Sequence, residues 1–409
     1  MTALQSVAPT ALPDHVPVEL VKSFSFVHSP GMDRCPHATV AKLATEEPRI
    51  FFDPNAYGGP SWVLTRADDL RTVLWDQRTF SSKGAAGFSA LIGDTWDMIP
   101  LELDPPRHTS FRALLNPLFT PAKVNELAKG VRETATDLID RIAGNKQCEF
   151  MEAFGRPFPI TVFMRLLGLP LEQTPQFLKW EEDLLHSDPT DIQTKANAAR
   201  EIRDYLRTLA ASRRAEPRED LASFVVQASI DNKPLGDDEI LGIYYLFFVG
   251  GLDTVAATLG FIFHWLATHP EEQALLRADP SKHTDAIEEF LRAFSVVVTR
   301  RRVTTDTEVA GVEMKAGDWI TVPLMMAGLD ATDYPNPLEL KLDRSPNRHM
   351  AFAFGPHRCI GSNLARREFS VALVEWFARI PPFRLKAGTQ PTVHGGGVFG
   401  VEKLELEWD

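Results

Sequence analysis

Phe352-Ala353-Phe354-Gly355-Pro356-His357-Arg358-Cys359-Ile360-Gly361 decides the reading of this chain of 409 residues. It sets one cysteine in the pattern Phe-x-x-Gly-x-His-x-Cys-x-Gly. Glycines at 355 and 361 predict a tight turn whose backbone passes close to the sulfur. Residues 362–368 read as a helix start, which places Cys359 at a positive dipole end with free amide donors. That setting suits a thiolate bound to a metal, because amide donors to sulfur tune how strongly it gives electrons. The plain alternative is a buried thiol in a turn, since free cysteine is commonly a small core hydrophobe.

The rest of the chain bounds the choice. Apolar content of 44% and charged content of 24% are ordinary for a globular protein and allow a large core. A net charge of −12 argues against a nucleic-acid partner, which needs a basic face. Cys35, Cys148 and Cys359 are far apart and form no C-x-x-C pair, so neither a zinc site nor a disulfide framework is expected. A reducing cytoplasm fits that usage. Residues 1–19 have neither a basic start nor an apolar run, so no signal peptide is expected there. Residues 240–267 are long and apolar enough to span a bilayer, with Asp253 their one carboxylate. Their flanks are acidic (Asp237, Asp238, Glu239; Glu271, Glu272) and lack basic anchors. The segment is therefore read as a core helix, with no membrane partner.

Patterning predicts one domain over residues 1–409, mainly α with small β-sheets. Residues 1–45 read as irregular. A β-containing lobe at about 45–100 holds a hairpin around Tyr57-Gly58-Gly59-Pro60. Residues 104–295 read as helical, 296–325 as strands, 330–350 as a proline-rich loop, 363–380 as a long helix and 391–408 as short strands.

Three further constellations stand out. Gly250-Gly251-Leu252-Asp253-Thr254 puts two glycines inside the core helix, at roughly 1 kcal/mol each relative to alanine. Thr254 can bond back to the Gly250 carbonyl there, and an acid beside an alcohol can relay protons. Glu289 and Arg292 share a helix face at i, i+3, a pairing that by itself is usually surface charge. Asp104-Pro105-Pro106-Arg107-His108 reads as a helix start capped by Asp104, with His108 and Arg112 on one face.

Together these motifs resemble the cytochrome P450 family, in order and spacing, from about residue 15 to the C-terminus. The resemblance implies a triangular prism with a long central helix over haem b (iron protoporphyrin IX). Cys359 would be the axial iron ligand, in a loop whose Phe352, His357 and Gly361 lie against the porphyrin. His108, Arg112, Arg301 and His357 would hold its propionates. Asp253 and Thr254 would deliver protons to bound dioxygen. Glu289, Arg292 and Arg344 would lock the core behind the loop.

The wording Val249-Gly250-Gly251-Leu252-Asp253-Thr254-Val255, Leu364-Ala365-Arg366-Arg367-Glu368, Arg379-Ile380-Pro381 and Pro157-Phe158-Pro159-Ile160 is similar to the family's camphor-hydroxylase branch. Trp96, however, stands where that branch has the tyrosine that anchors camphor's ketone. Leu101, Thr299 and Gly397 also depart from it. The expected pocket lining is Trp96, Met98, Leu101, Leu246, Val249, Gly250, Val297, Thr299 and Val398.

The implied activity is monooxygenation of a small apolar terpenoid or norisoprenoid (ionone-like) ketone by a monomer. Electrons would come from a [2Fe–2S] ferredoxin with an NADH-dependent reductase, docking on Arg107, Arg112, Lys123 and Arg366. Camphor hydroxylation proper, a peroxide-driven enzyme, a non-catalytic haem protein and a cysteine hydrolase are the alternatives.

Overall fold

A 32-residue helix, Asp237–Thr268, runs through the middle of the molecule. The computed structural model describes residues 12–56, 59–188 and 190–409. Three acids in the first turn face the positive end of the helix dipole. The Glu239 carboxylate also accepts from the Gly236 amide at 2.9 Å, closing the N-terminus. The N-terminal half, through Leu252, packs with Phe163, Phe177 and Trp180. The C-terminal half, from Val255, packs with Phe154, Trp376 and Phe399. A helix apolar all round is thus explained by two cores that it joins. Of its most apolar window, 72% is buried inside the protein.

The predicted hairpin is present. Ile50–Asp53 and Ser61–Leu64 pair antiparallel, with Ile50 opposite Leu64. Tyr57 and Gly58 of its turn lie outside the described residues, as do residues 1–11. Trp319–Pro323 adds parallel to Ser61–Leu64, followed by Val298–Val303 and Phe80–Ser81, to make a five-stranded sheet. Along Val298–Val303 the pleat puts Thr299 and Arg301 on one face and Arg300 and Arg302 on the other. The latter two lie over the Trp319 ring, and the former two border the main cavity. A second sheet joins Phe383–Leu385, Glu405–Trp408 and Gln147–Glu149.

Two local expectations need correction. Residues 36–46 are not irregular but form the helix Pro36–Glu46, begun by a proline in the first turn and held by buried Val40 and Leu43. Asp104 does not cap the helix Arg107–Leu115, which starts with no side-chain cap. Its carboxylate instead accepts from the Ser81 hydroxyl and from the Ser82 amide. That ties the helix start to the sheet edge.

Candidate active site

The cysteine loop is closed by its own backbone, the Cys359 amide donating to the Phe352 carbonyl at 2.8 Å. Gly355 has φ +71°, and a Cβ there would meet the Leu74 carbonyl oxygen at 2.7 Å, so only glycine fits. Gly361 differs from expectation. Its φ is −78°, and a Cβ would lie 3.8 Å from Cys359 Sγ, an ordinary contact. What it brings is its amide, which bonds to the sulfur. Cys359 opens onto a cavity of about 310 Å³ rather than onto bulk water. Burial therefore pushes its thiol up, against the pull of the Gly361 amide and of Arg112, Arg358 and Arg366. The chain alone does not make this thiol a thiolate; a metal cation on the sulfur would.

One wall of the same cavity is crowded with donors. His108 and His357 stack with ring centroids 4.0 Å apart, beside Arg112 and Arg301. Burial, then Arg301, His108 and Arg112, push His357 down to about 2. Burial, then Arg112, push His108 down to about 4, with Asp104 opposing. Burial lowers Arg301 to about 10; it is 2% exposed and makes no ion pair among the described residues. The buried His108 Nε2 has no partner there either. Such a cluster lacks an anion. Two carboxylates on the rim of a flat group whose iron lies over Cys359 would satisfy it, so these residues fit a haem.

On the opposite wall Thr254 faces the cavity, its hydroxyl donating to the Gly250 carbonyl at 3.3 Å. Gly250 and Gly251 also border it. A Cβ on either would meet only Leu246 (3.8 Å) or Phe163 (3.6 Å), so the space they leave belongs to the cavity. Asp253 points away from it, 6% exposed, with His186 Nε2 3.2 Å from its carboxylate. That contact is close but misaligned for a hydrogen bond. Burial raises the Asp253 carboxyl, but His186, then His394 and Arg156, hold it below the usual range. Beside it Glu181 is 1% exposed, and both its oxygens lack a partner among the described residues. Burial and the Asp253 charge push it up to about 7.

Glu181 and His186 belong to no motif. The turn Glu182–His186 is a π-helix, whose i→i+5 spacing sets residues 181 and 186 on one face. An α-helical register places them apart, which hid them in the sequence. Glu368 was also missed as a lining residue: it borders the cavity, and burial holds its carboxyl well above the usual range.

Of the expected pocket residues, Leu101, Leu246, Gly250, Val297 and Thr299 line the cavity, joined by Phe163, Phe247 and Val255. Trp96, Met98, Val249 and Val398 do not. Trp96 packs on Tyr245 with centroids 4.6 Å apart, and its indole N–H donates to Asp94 at 3.0 Å. Arg203 in turn holds Asp94. The indole is therefore unavailable to a ligand. Met98 is a core residue at 1% exposure, Val249 packs in the helical core, and Val398 stands behind Val297 through a β-bridge.

Behind the loop, Glu289 accepts from Arg292 Nε at 2.7 Å, from Arg344 Nε at 3.0 Å and from the Lys341 amide at 2.9 Å. Glu289 and Arg292 are both fully buried. Arg366 does not offer its charge to solvent as expected. It forks onto Glu288 and lies 4.5 Å over the Phe352 ring. Arg107 pairs with Glu239 and Lys123 with Glu126. The Arg112 guanidinium bonds the Arg358 carbonyl at 2.9 Å, and the Arg358 side chain itself is exposed next to Cys359.

The chain is similar to known proteins along almost its whole length. A family model described as Cytochrome P450 matches residues 36–392. Probable cytochrome P450 127A1 of Sinorhizobium fredii is 44% identical over 97% of this chain and 97% of that protein. A steroid C26-monooxygenase of Mycobacterium tuberculosis is 33% identical over 75% of this chain and 84% of its own. Among solved structures, CYP101J2 superposes with a TM-score of 0.86 at 33% identity, covering 98% of this chain and all of that one. CYP101C1 gives 0.88 at 30% identity, covering 97% and 100%.

Proposed function

The chain belongs to the cytochrome P450 family of haem monooxygenases, and from that premise we propose that it hydroxylates a small apolar terpenoid or norisoprenoid ketone. When bound, haem supplies the iron chemistry by which one atom of dioxygen enters a C–H bond and the other leaves as water. Cys359 Sγ would hold the iron, steadied by the Gly361 amide. Arg112, Arg301, His108 and His357 would receive the propionates. Thr254 Oγ1, its own proton held by the Gly250 carbonyl, turns its lone pairs to the cavity wall, and the Asp253 carboxylate, kept charged by His186, takes up a proton from the interior and passes it toward Thr254.

The observation that supports the substrate class is the lining. Leu101, Phe163, Leu246, Phe247, Val255 and Val297 enclose the space and hold an apolar ligand by burial at about 25 cal/mol per Å². With Trp96 spoken for, the ketone anchor falls to Thr299. Its hydroxyl oxygen accepts from Arg301 Nη1 at 3.4 Å, so its own proton is free to donate. Electrons come from a [2Fe–2S] ferredoxin and its NADH-dependent reductase. Support for that lies in the two CYP101 (camphor-type) structures and in the exposed Arg358 beside the cysteine loop, a cationic point for an acidic partner. The enzyme is read as a cytoplasmic monomer.

A titration of the low-spin to high-spin absorbance change tests the substrate reading. An ionone is expected to bind more tightly than camphor, and Thr299→Val to weaken the ketone about tenfold while sparing the parent hydrocarbon. A spin change given only by large polar ligands, or a Thr299→Val loss equal for both, would overturn it.

A further inference from the structure

The catalytic reading uses Asp253 but leaves its two neighbours unexplained. One ligating atom each from Glu181, His186 and Asp253 lies within 4.8 Å of the other two. Both Glu181 oxygens and His186 Nδ1 lack a hydrogen-bond partner among the described residues, and His186 Nε2 meets the Asp253 carboxylate at 3.2 Å but out of alignment. A buried polar atom left unpaired costs about 1–3 kcal/mol, so three in one place call for a ligand.

The chain builds this cluster with some precision. The helix Thr174–Glu181 ends at Glu181, and the π-helix Glu182–His186 follows at once. The wider turn swings His186 back beside Glu181 and against the central helix at Asp253. Around them, Arg156 is already paired with Glu182 at 2.8 Å. The His394 ring stands edge-on to His186 with centroids 5.3 Å apart, its Nδ1 bonded to the Gly395 carbonyl. Asp188, two residues past His186, is exposed, so the chain reaches the surface directly beside the cluster.

We infer that Glu181, His186 and Asp253 form a binding site for a divalent transition-metal cation. Two carboxylates and one imidazole neutralise a doubly charged ion and match the nitrogen and oxygen preference of zinc and its neighbours in the first transition row. Three protein ligands leave further positions to water. The ion sits away from the haem cavity, since neither Glu181, His186 nor Asp253 borders it. Its consequence rests on the role proposed for Asp253: a carboxylate taken as a metal ligand no longer passes a proton to Thr254. Occupancy therefore inhibits turnover without touching the haem.

The test uses haem-loaded enzyme stripped with a chelator, in a Cys35→Ser background so that the exposed thiol does not compete. Calorimetric titration with zinc chloride is expected to give one ion per chain. Glu181→Gln and His186→Asn should each weaken binding at least tenfold while the reduced, CO-bound spectrum stays as in the parent. The absence of saturable binding at one ion per chain, or equal binding by the parent and both variants, overturns the site. Zinc should also lower coupled turnover of the parent and spare both variants. Binding at this site with turnover unchanged would uphold the site and refute the role given to Asp253, so the two failures are distinguishable.

Discussion

Two buried acids on opposite sides of the haem cavity differ in every respect except their burial. Glu289, behind the cysteine loop, is met by two arginines, an amide and the Asn347 side chain. Glu181, beyond the central helix, is met by nothing that bonds to it among the described residues. A closed network of this kind fixes geometry, because every member is satisfied and none can leave cheaply. An open one stores unfavourable burial and stays available to protons or ions. The half behind the cysteine loop is closed, and the half proposed to move protons is open.

The same substitution should therefore act with opposite sign in the two halves. Glu289→Gln leaves Arg292 buried without its counter-charge and is expected to cost about 3–5 kcal/mol, read as loss of denaturant stability and of bound haem. A stable, haem-replete variant would break the contrast. Glu181→Gln is expected to stabilise the metal-free protein. Its carboxyl is raised from the usual 4.5 to about 7, so the folded state keeps a proton that the unfolded chain gives up between those values. The resulting penalty is absent below the lower value, grows across the window and is complete above the upper one. The variant should gain up to roughly 3 kcal/mol at pH 8 and nothing at pH 4, and a pH-independent difference would refute this.

Smaller effects sharpen the picture. Gly355→Ala should cost about 2 kcal/mol through its left-handed backbone and its contact with the Leu74 carbonyl, whereas Gly361→Ala should stay within about 0.5 kcal/mol. Equal losses would show that the loop is closed all along rather than at Gly355. Trp96→Phe removes one bond to Asp94 and is expected to cost about 1 kcal/mol of stability while changing ligand affinity less than twofold in a spin-state titration.

What the sequence disclosed follows the same division. The cysteine loop, the Glu289–Arg292 pair and the central helix were legible because each depends on short spacing in a regular backbone. The hairpin at 50–64 and the strands after 296 were legible from β-prone alternation. The helix Pro36–Glu46 was hidden by the prolines and glycines around it, although its own first-turn proline is a start signal. Glu181 and His186 were hidden because a π-helix breaks the period on which face assignments rest. Trp96 misled for a different reason. Sequence position marked it as pocket lining, but Asp94, two residues earlier, holds its N–H in the core.

The most direct test of the central claim, that Cys359 is the thiolate ligand of a haem, is the absorbance of the reduced, CO-bound protein before and after Cys359→Ser. The expected result is a strongly red-shifted Soret band in the parent that is lost in the variant, with haem still bound at the usual position for a neutral ligand. A parent without that band, or a variant that keeps it, would contradict the assignment.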